Sequence, residues 1–333
     1  MLVLITKDEH NQLGFRNKFR KPGWENDLKY KHDFIIKYMK DHDIKYKITT
    51  GDILDNQKHW TFKQYSLNKN LLKKYQNNGL KIITPAGNHD MLEGRIDIQD
   101  SPFEDLVKSK IINHVNFSSF FMKDEKEEVE VIGFDYRNIL SKDDKEKFLD
   151  DCKKYLESCK KDAKKIIIMH QNITPDKTRV TEFTYDELSE LANDYNVDCI
   201  ICGHYHLGYK SVMHNNVLFI NPWNFWRVVR DYHTREDEHM PEFVVLDTKT
   251  MKTIHVEIPH KKYTEAFDIK EIEAFKSIKQ EIFDFFEKVS FDTIEDEDDD
   301  SNLLLKFKKE IMEQHDLTEN ELNIIFNEIQ NKI

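Results

Sequence analysis

A chain of 333 residues with 39% hydrophobic side chains has room for one large domain with an appendage, or for two domains, and disorder cannot be its main state. No apolar run reaches the length of a membrane span, and residues 1–5 read as a strand without the basic flank and cleavage site of a signal peptide, so a cytoplasmic, non-membrane protein is expected. The formal net charge of -12 argues against a free-standing nucleic-acid binder, but not against a nuclease whose metal ions or partner neutralise phosphate.

Short β-branched runs at residues 2–5, 46–49, 80–84, 129–134, 166–169 and 199–202 read as buried strands. Between them, Leu28, Ile35, Ile36 and Met39 fall on one helical face, as do Leu67, Leu71, Leu72 and Tyr75 before a stop at Gly79. The alternation predicts an α/β layered domain. Residues 16–47 carry ten Lys or Arg against five Asp or Glu, a pattern read as a solvated helix face ahead of a phosphate-binding patch. The four cysteines are too few for a disulfide framework, and Cys199 and Cys202, three apart on a strand, point to opposite faces as core residues rather than zinc ligands.

Beyond Asn221-Pro222, residues 243–246 and 253–258 read as strands that close the layered domain over residues 1–258. A helical extension over 259–293 contains a helix at 269–288 with Ile272, Phe275, Ile278, Ile282 and Phe286 on one side. Residues 295–300 are six consecutive acids, within an exposed linker assigned to 294–301. Residues 302–333 carry two amphipathic stripes, Leu304, Phe307 and Ile311, then Leu322, Ile325, Phe326, Ile329 and Ile333, with a capping box at Thr318-x-x-Glu321 between them. A module this small holds no stable core alone, so it is expected to fold on a partner or on the main domain.

Five polar clusters stand at or near the ends of the strands: Asp8-Glu9-His10, Gly51-Asp52 with Asp55, Gly87-Asn88-His89-Asp90, His170, and Gly203-His204-Tyr205-His206. Ligand sites of open α/β sheets lie at those ends, and glycine before a ligand lets the chain turn sharply off its strand. Singly, each cluster has a bland explanation as a turn or a packed histidine. As an ordered set they supply carboxylates, imidazoles and an amide for two metal ions. Asp8 and His10 are expected to point the same way from an extended segment, and Asp52 to bridge. Oxygen and nitrogen donors without thiolates favour manganese, iron or zinc, manganese first. Metals about 3.5 to 4 Å apart would grip a phosphate and activate a bridging water. His89 suits the proton donor to the leaving alkoxide, with Asp55 or Asp90 orienting its ring.

The series D-x-H, G-D-x-x-D, G-N-H-D, H and G-H-x-H, running over residues 8–206, resembles the calcineurin-like metallophosphoesterase superfamily. The resemblance implies a four-layer αββα sandwich with metals at its edge. It implies that Asp8, His10, Asp52 and His206 hold one metal, and Asp52, Asn88, His170 and His204 the other. His89 becomes the general acid and Asp55 its orienting carboxylate. Within the superfamily, Leu13-Gly14 after the D-x-H block, the chain length, and an acidic linker before a short helical tail resemble the nuclease subunit of SbcCD-type recombination and repair complexes, especially those of large bacteriophages. That resemblance implies a manganese-dependent DNA exonuclease and endonuclease, a homodimer, and an SbcC-type coiled-coil ATPase bound through residues 302–333, in the host cytoplasm if viral. Residues 221–227, Asn-Pro-Trp-Asn-Phe-Trp-Arg, depart from the Pro-Gly-Ser usual in cellular members, and their aromatics are expected to pack rather than stack on bases. A phosphoesterase acting on small molecules or proteins, and a partner-binding scaffold, are the alternatives.

Overall fold

The computed structural model describes residues 1–11, 19–55, 61–160, 162–226, 241–288, 309 and 311–312. The tail stripes, the capping box at Thr318 and the acidic run lie outside the described residues, apart from Ile311. Two compact units divide the chain, one from Met1 to Tyr263 without residues 19–21, and one formed by those three residues with the chain from Thr264 onward.

The first unit is built on two six-stranded sheets. In chain order its elements are β1 (Leu2–Thr6), α1 (Trp24–Asp41), β2 (Tyr46–Thr49), α2 (Phe62–Asn77), β3 (Lys81–Thr84), α3 (Pro102–Lys108), β4 (Asn113–His114), β5 (Ser118–Lys123), β6 (Glu128–Phe134) and α4 (Lys142–Glu157). Then follow β7 (Lys164–Met169), β8 (Ile173–Thr174), β9 (Phe183–Thr184), α5 (Tyr185–Asp194), β10 (Cys199–Cys202), β11 (Tyr209–His214), β12 (Val217–Asn221), β13 (Glu242–Asp247) and β14 (Lys252–Glu257). The second unit begins within the short helix α6 (Tyr263–Ala266), at Thr264, and α7 (Ile269–Lys288) covers the span that the periodicity predicts.

One sheet runs β14-β13-β1-β2-β3-β4 and the other β11-β12-β10-β7-β6-β5. The alternation of the strands places Val3, Ile5, Ile48 and Ile83 of the first sheet against Val131, Ile166, Ile168 and Ile201 of the second. The opposite faces carry Leu4 and Ile82 under α1, α2 and α3, and Ile132, Ile167 and Ile200 under α4 and α5. The result is an αββα sandwich. Cys199 lies between the sheets and Cys202 on the helix side, both buried and free, as their spacing requires.

Two lysines depart from the solvated face expected of residues 16–47. Lys31 is buried, donating from Nζ to the Phe225 carbonyl at 2.7 Å, and Lys47 is wholly buried in an ion pair with Glu9. Phe225 and Trp226 are buried, so those aromatics pack as expected, and the Lys31 ammonium stands 4.3 Å from the Trp226 ring centroid. No helix among the described residues is long and apolar enough to cross a membrane.

Candidate metal centre

Strands β1, β2 and β3 are parallel, as are β10 and β7, and the loops after their C-terminal ends bring the five polar clusters together. Asp52 is the centre of the arrangement. Its Oδ2 lies 3.6 Å from His10 Nε2 and 3.2 Å from His170 Nε2. Around the first of these, His10 Nε2 and His206 Nε2 face each other at 3.2 Å, and Asp8 Oδ2 is 4.0 Å from His206 Nε2. Around the second, Asn88 Oδ1 lies 3.2 Å from His170 Nε2, and the His204 ring centroid is 5.0 Å from that of His170.

The donor set fits cations. Asp8 Oδ2 is buried without a hydrogen-bond partner among the described residues. An uncompensated buried carboxylate oxygen is costly unless something positive reaches it. Asp52, His170 and His204 offer ligand atoms within 4.8 Å of one another, and so do His10, Asp55 and His89. In the latter group His89 Nδ1 sits 2.7 Å from Asp55 Oδ1, which makes those two a hydrogen-bonded imidazole–carboxylate dyad beside His10.

Local backbone geometry aims these groups. Asp8, His10, Asp52 and His204 adopt φ values of 43°, 38°, 48° and 73°, so the D-x-H segment is not the extended stretch anticipated from its spacing. Left-handed backbone at non-glycine residues is sparsely populated and concentrates at functional sites. Gly51, at φ 92°, makes the sharp turn expected of it, whereas Gly87 and Gly203 serve by leaving space. A Cβ on Gly203 would stand 2.4 Å from Thr50 Oγ1 and 2.9 Å from Asp8 Oδ1.

Hydrogen bonds then fix the rings. The His170 Nδ1 faces the Thr50 carbonyl at 2.8 Å, the contact that places its proton there and turns Nε2 toward Asp52 and Asn88. The His89 amide donates to Asp52 Oδ1 at 2.8 Å. Asp90 is not the carboxylate that orients His89: its Oδ1 accepts from the Leu54 amide at 2.8 Å and its Oδ2 from the Gly87 amide at 3.0 Å, so it ties two site loops together. Asp135 Oδ1 anchors the loop after β3 as well, accepting from the Ala86 amide at 2.7 Å.

Charge is coupled across the centre. Burial works against an ionised Asp52, but His170, His89 and His10 outweigh it and hold the carboxyl well below the usual range. Burial likewise opposes a charged His170, yet Asp52 and Asp8 raise its pKa to about 9. Desolvation, reinforced by His170, pushes His204 down to about 3. Asp90 is raised well above the usual range by burial and by the charge of Asp52. Opposed shifts of this kind cluster at functional sites.

Lys7 and Thr50 escaped the sequence reading. The buried Lys7 ammonium donates to the Tyr205 carbonyl at 2.8 Å and to Asn221 Oδ1 at 2.7 Å, holding the Gly203–His206 turn against β12. A lysine continuing a buried strand was the available signal. Thr50 acts through its carbonyl, which no residue type advertises.

Carboxylates and imidazoles gathered at the edge of an αββα sandwich define a metal-dependent hydrolase of phosphoesters. The family model described as calcineurin-like phosphoesterase matches residues 8–208, and the chain belongs to that family. No curated protein matches the sequence. Among solved structures, TT1561 of Thermus thermophilus is similar in fold, with a TM-score of 0.50 and 15% identity over 78% of this chain and 99% of that one. The purple acid phosphatase PPD1 from yellow lupin (Lupinus luteus) seeds aligns over 76% of this chain and 52% of its own, with 13% identity and a TM-score of 0.38.

Proposed function

We propose that this chain is a nuclease that hydrolyses DNA phosphodiester bonds with two divalent ions, manganese first, as the catalytic subunit of an assembly with a coiled-coil ATPase. The observation that carries the two-ion reading is the Asp52 carboxylate, whose Oδ2 lies 3.6 Å from His10 Nε2 and 3.2 Å from His170 Nε2 and so belongs to both groups of donors. Asp8, His10, Asp52 and His206 would hold one ion, and Asp52, Asn88, His170 and His204 the other. When bound, the ions supply Lewis acidity toward the phosphate and lower the pKa of a water nucleophile.

The protein's own groups do the rest. Asp55 accepts from His89 Nδ1 at 2.7 Å and fixes the ring, so that in the doubly protonated form a general acid requires, Nε2 is the atom that passes a proton to the departing oxygen. The bond from the His89 amide to Asp52 sets that ring beside the ligand carboxylate. The choice of DNA is supported outside the centre, by the Leu13-Gly14 pair after the D-x-H block and the acidic run at 295–300 ahead of the amphipathic stripes at 302–333. Those stripes are the proposed ATPase-docking module, and homodimerisation belongs to the same proposal.

The test is digestion of end-labelled DNA by chelated protein resupplied with Mn(2+), alone and with a coiled-coil ATPase. Loss of labelled ends that disappears in Asp52→Ala, and falls about 10²- to 10⁴-fold in His89→Gln, is expected. Rapid hydrolysis of a simple phosphomonoester with DNA left intact would instead establish a small-molecule or protein phosphoesterase. Removal of residues 302–333 is expected to spare metal binding and abolish ATPase association, and unchanged association would refute the docking assignment.

A further inference from the structure

Glu9 stands between two proposed ligands, yet its side chain takes no part in the centre. It is wholly buried and runs the other way, into the layer between the first sheet and helices α1 and α2. There its carboxylate pairs with the ammonium of Lys47 on β2, also wholly buried. Oε1 accepts from Thr6 Oγ1 at 2.7 Å and Oε2 from Asn11 Nδ2 at 3.3 Å. Asn11 Oδ1 faces His32 Nε2 on α1 at 3.2 Å, His32 Nδ1 faces the Tyr75 hydroxyl on α2 at 2.9 Å, and the Asn11 carbonyl accepts from Asn68 Nδ2 at 2.6 Å. The Lys47 ammonium lies 4.6 Å from the Tyr75 ring centroid, closing the network on itself.

A buried ion pair is a poor way to gain stability, because apolar residues of similar volume usually do as well or better. This one sits directly behind a short segment in which Asp8 and His10 both have positive φ, at 43° and 38°. Such backbone persists only where surrounding contacts over-determine it. The same segment is tied to the Asp52 loop by bonds from the His10 amide to the Asp52 carbonyl at 2.8 Å and from the Asn11 amide to the Ile53 carbonyl at 2.9 Å. Four elements, β1, β2, α1 and α2, therefore meet in one network around a carboxylate whose two chain neighbours face the centre.

We infer that Glu9, Lys47 and Asn11 form a positioning device that holds Asp8 and His10 in ligating geometry, setting the affinity of the first metal position without touching the ion. The inference rests on the reading of Asp8 and His10 as ligands. Residues of this kind behind metal ligands typically govern affinity or activity by about 10- to 100-fold. Burial, with the charge of Lys47, also drives the His32 pKa to about 3 despite Glu9, so His32 is neutral and the network holds one anion and one cation.

The decisive comparison is between Glu9→Gln and the double variant Glu9→Gln/Lys47→Met, each titrated with Mn(2+) by electron paramagnetic resonance of the free ion and melted in chelator. Glu9→Gln strands a buried ammonium and lowers the melting temperature, whereas the double variant is expected to recover it. Despite that recovery, Mn(2+) binding at one of two positions should be about 10-fold or more weaker in the double variant. Turnover of a small phosphodiester at saturating metal should show a reduced kcat with KM little changed. Asn11→Ala, which keeps both charges, should weaken the same position with the fold retained, and it decides the matter if the double variant does not refold. Wild-type affinity and kcat in a folded double variant, or in Asn11→Ala, would overturn the inference and leave the network as packing. Failure of the wild-type chain itself to bind Mn(2+), or unchanged binding in Asp8→Asn, would instead sink the ligand reading beneath it.

Discussion

At Gly87 an added methyl carbon would stand 2.1 Å from Asp52 Oδ1 and 2.5 Å from the Asp52 amide nitrogen, distances that no side chain tolerates without movement. Both atoms belong to Asp52, whose carboxylate is the proposed bridge. A displacement of about 1 Å in a reacting constellation costs on the order of 10²-fold in rate. Gly87→Ala is therefore expected to lower kcat by about that factor, with secondary structure retained by circular dichroism, and an unchanged kcat would show that Asp52 does not need its present position. This also marks what was legible at the scale of single residues. Asp8, His10, Asp52, Asn88, His170, His204 and His206 were legible as one candidate set because polar donors at the ends of apolar strands have few other reasons to recur in order. The contacts that aim them were not, because the Thr50 carbonyl, the Ala86 amide and the space above Gly87 carry no signature in residue type. Asp90 was misplaced for a related reason: its two bonds go to backbone amides, which a sequence does not display.

Helices were legible where a long apolar stripe faced a sheet and illegible where the element was short. The stripes of α1 and α2 are in the core, with Leu28, Ile35, Met39, Leu71, Leu72 and Tyr75 buried. The strands of two residues, β4, β8 and β9, offer too few positions for any period to show. Helix α5 follows directly on β9 and begins with a capping box in which the Glu187 amide donates to Thr184 Oγ1 at 3.3 Å and Glu187 Oε2 accepts from the Thr184 amide at 2.8 Å. Its pattern, Thr-x-x-Glu, is the one also present at Thr318, which lies outside the described residues. The helix buries Tyr185, Leu188 and Ala192 against the second sheet, so fraying at its start exposes core. Thr184→Ala should cost about 1 kcal/mol in urea-unfolding free energy, the usual worth of such a cap. Glu187→Ala should cost a similar amount, and the double variant less than their sum because the two bonds belong to one device. Strict additivity would mean that the caps act independently.

In the layer between the first sheet and α1 and α2 the sandwich wholly buries Glu9, His32 and Lys47, and that placement ties global stability to pH. His32 is wholly buried, and desolvation, followed by the opposing charges of Glu9 and Lys47, takes its pKa from 6.5 to about 3. In the unfolded chain the imidazole regains its ordinary value and binds a proton through the window from 6.5 down to about 3 in which the native protein does not. The unfolded state then holds more protons, so stability rises with pH across that window and is lost as pH falls, by up to about 1.4 kcal/mol per unit for a single site. Other groups titrate in the same range, Glu9 among them, and a difference measurement removes most of them. The unfolding free energy of chelated wild type minus that of His32→Gln should be flat above about pH 7.5 and fall by about 1.4 kcal/mol for each unit between pH 5.5 and 4.5. A difference independent of pH would mean that native His32 titrates as it does in the unfolded chain, which wholly buried packing against Asn11 and Tyr75 forbids. The network proposed to brace the metal centre thereby contributes to the loss of stability in acid.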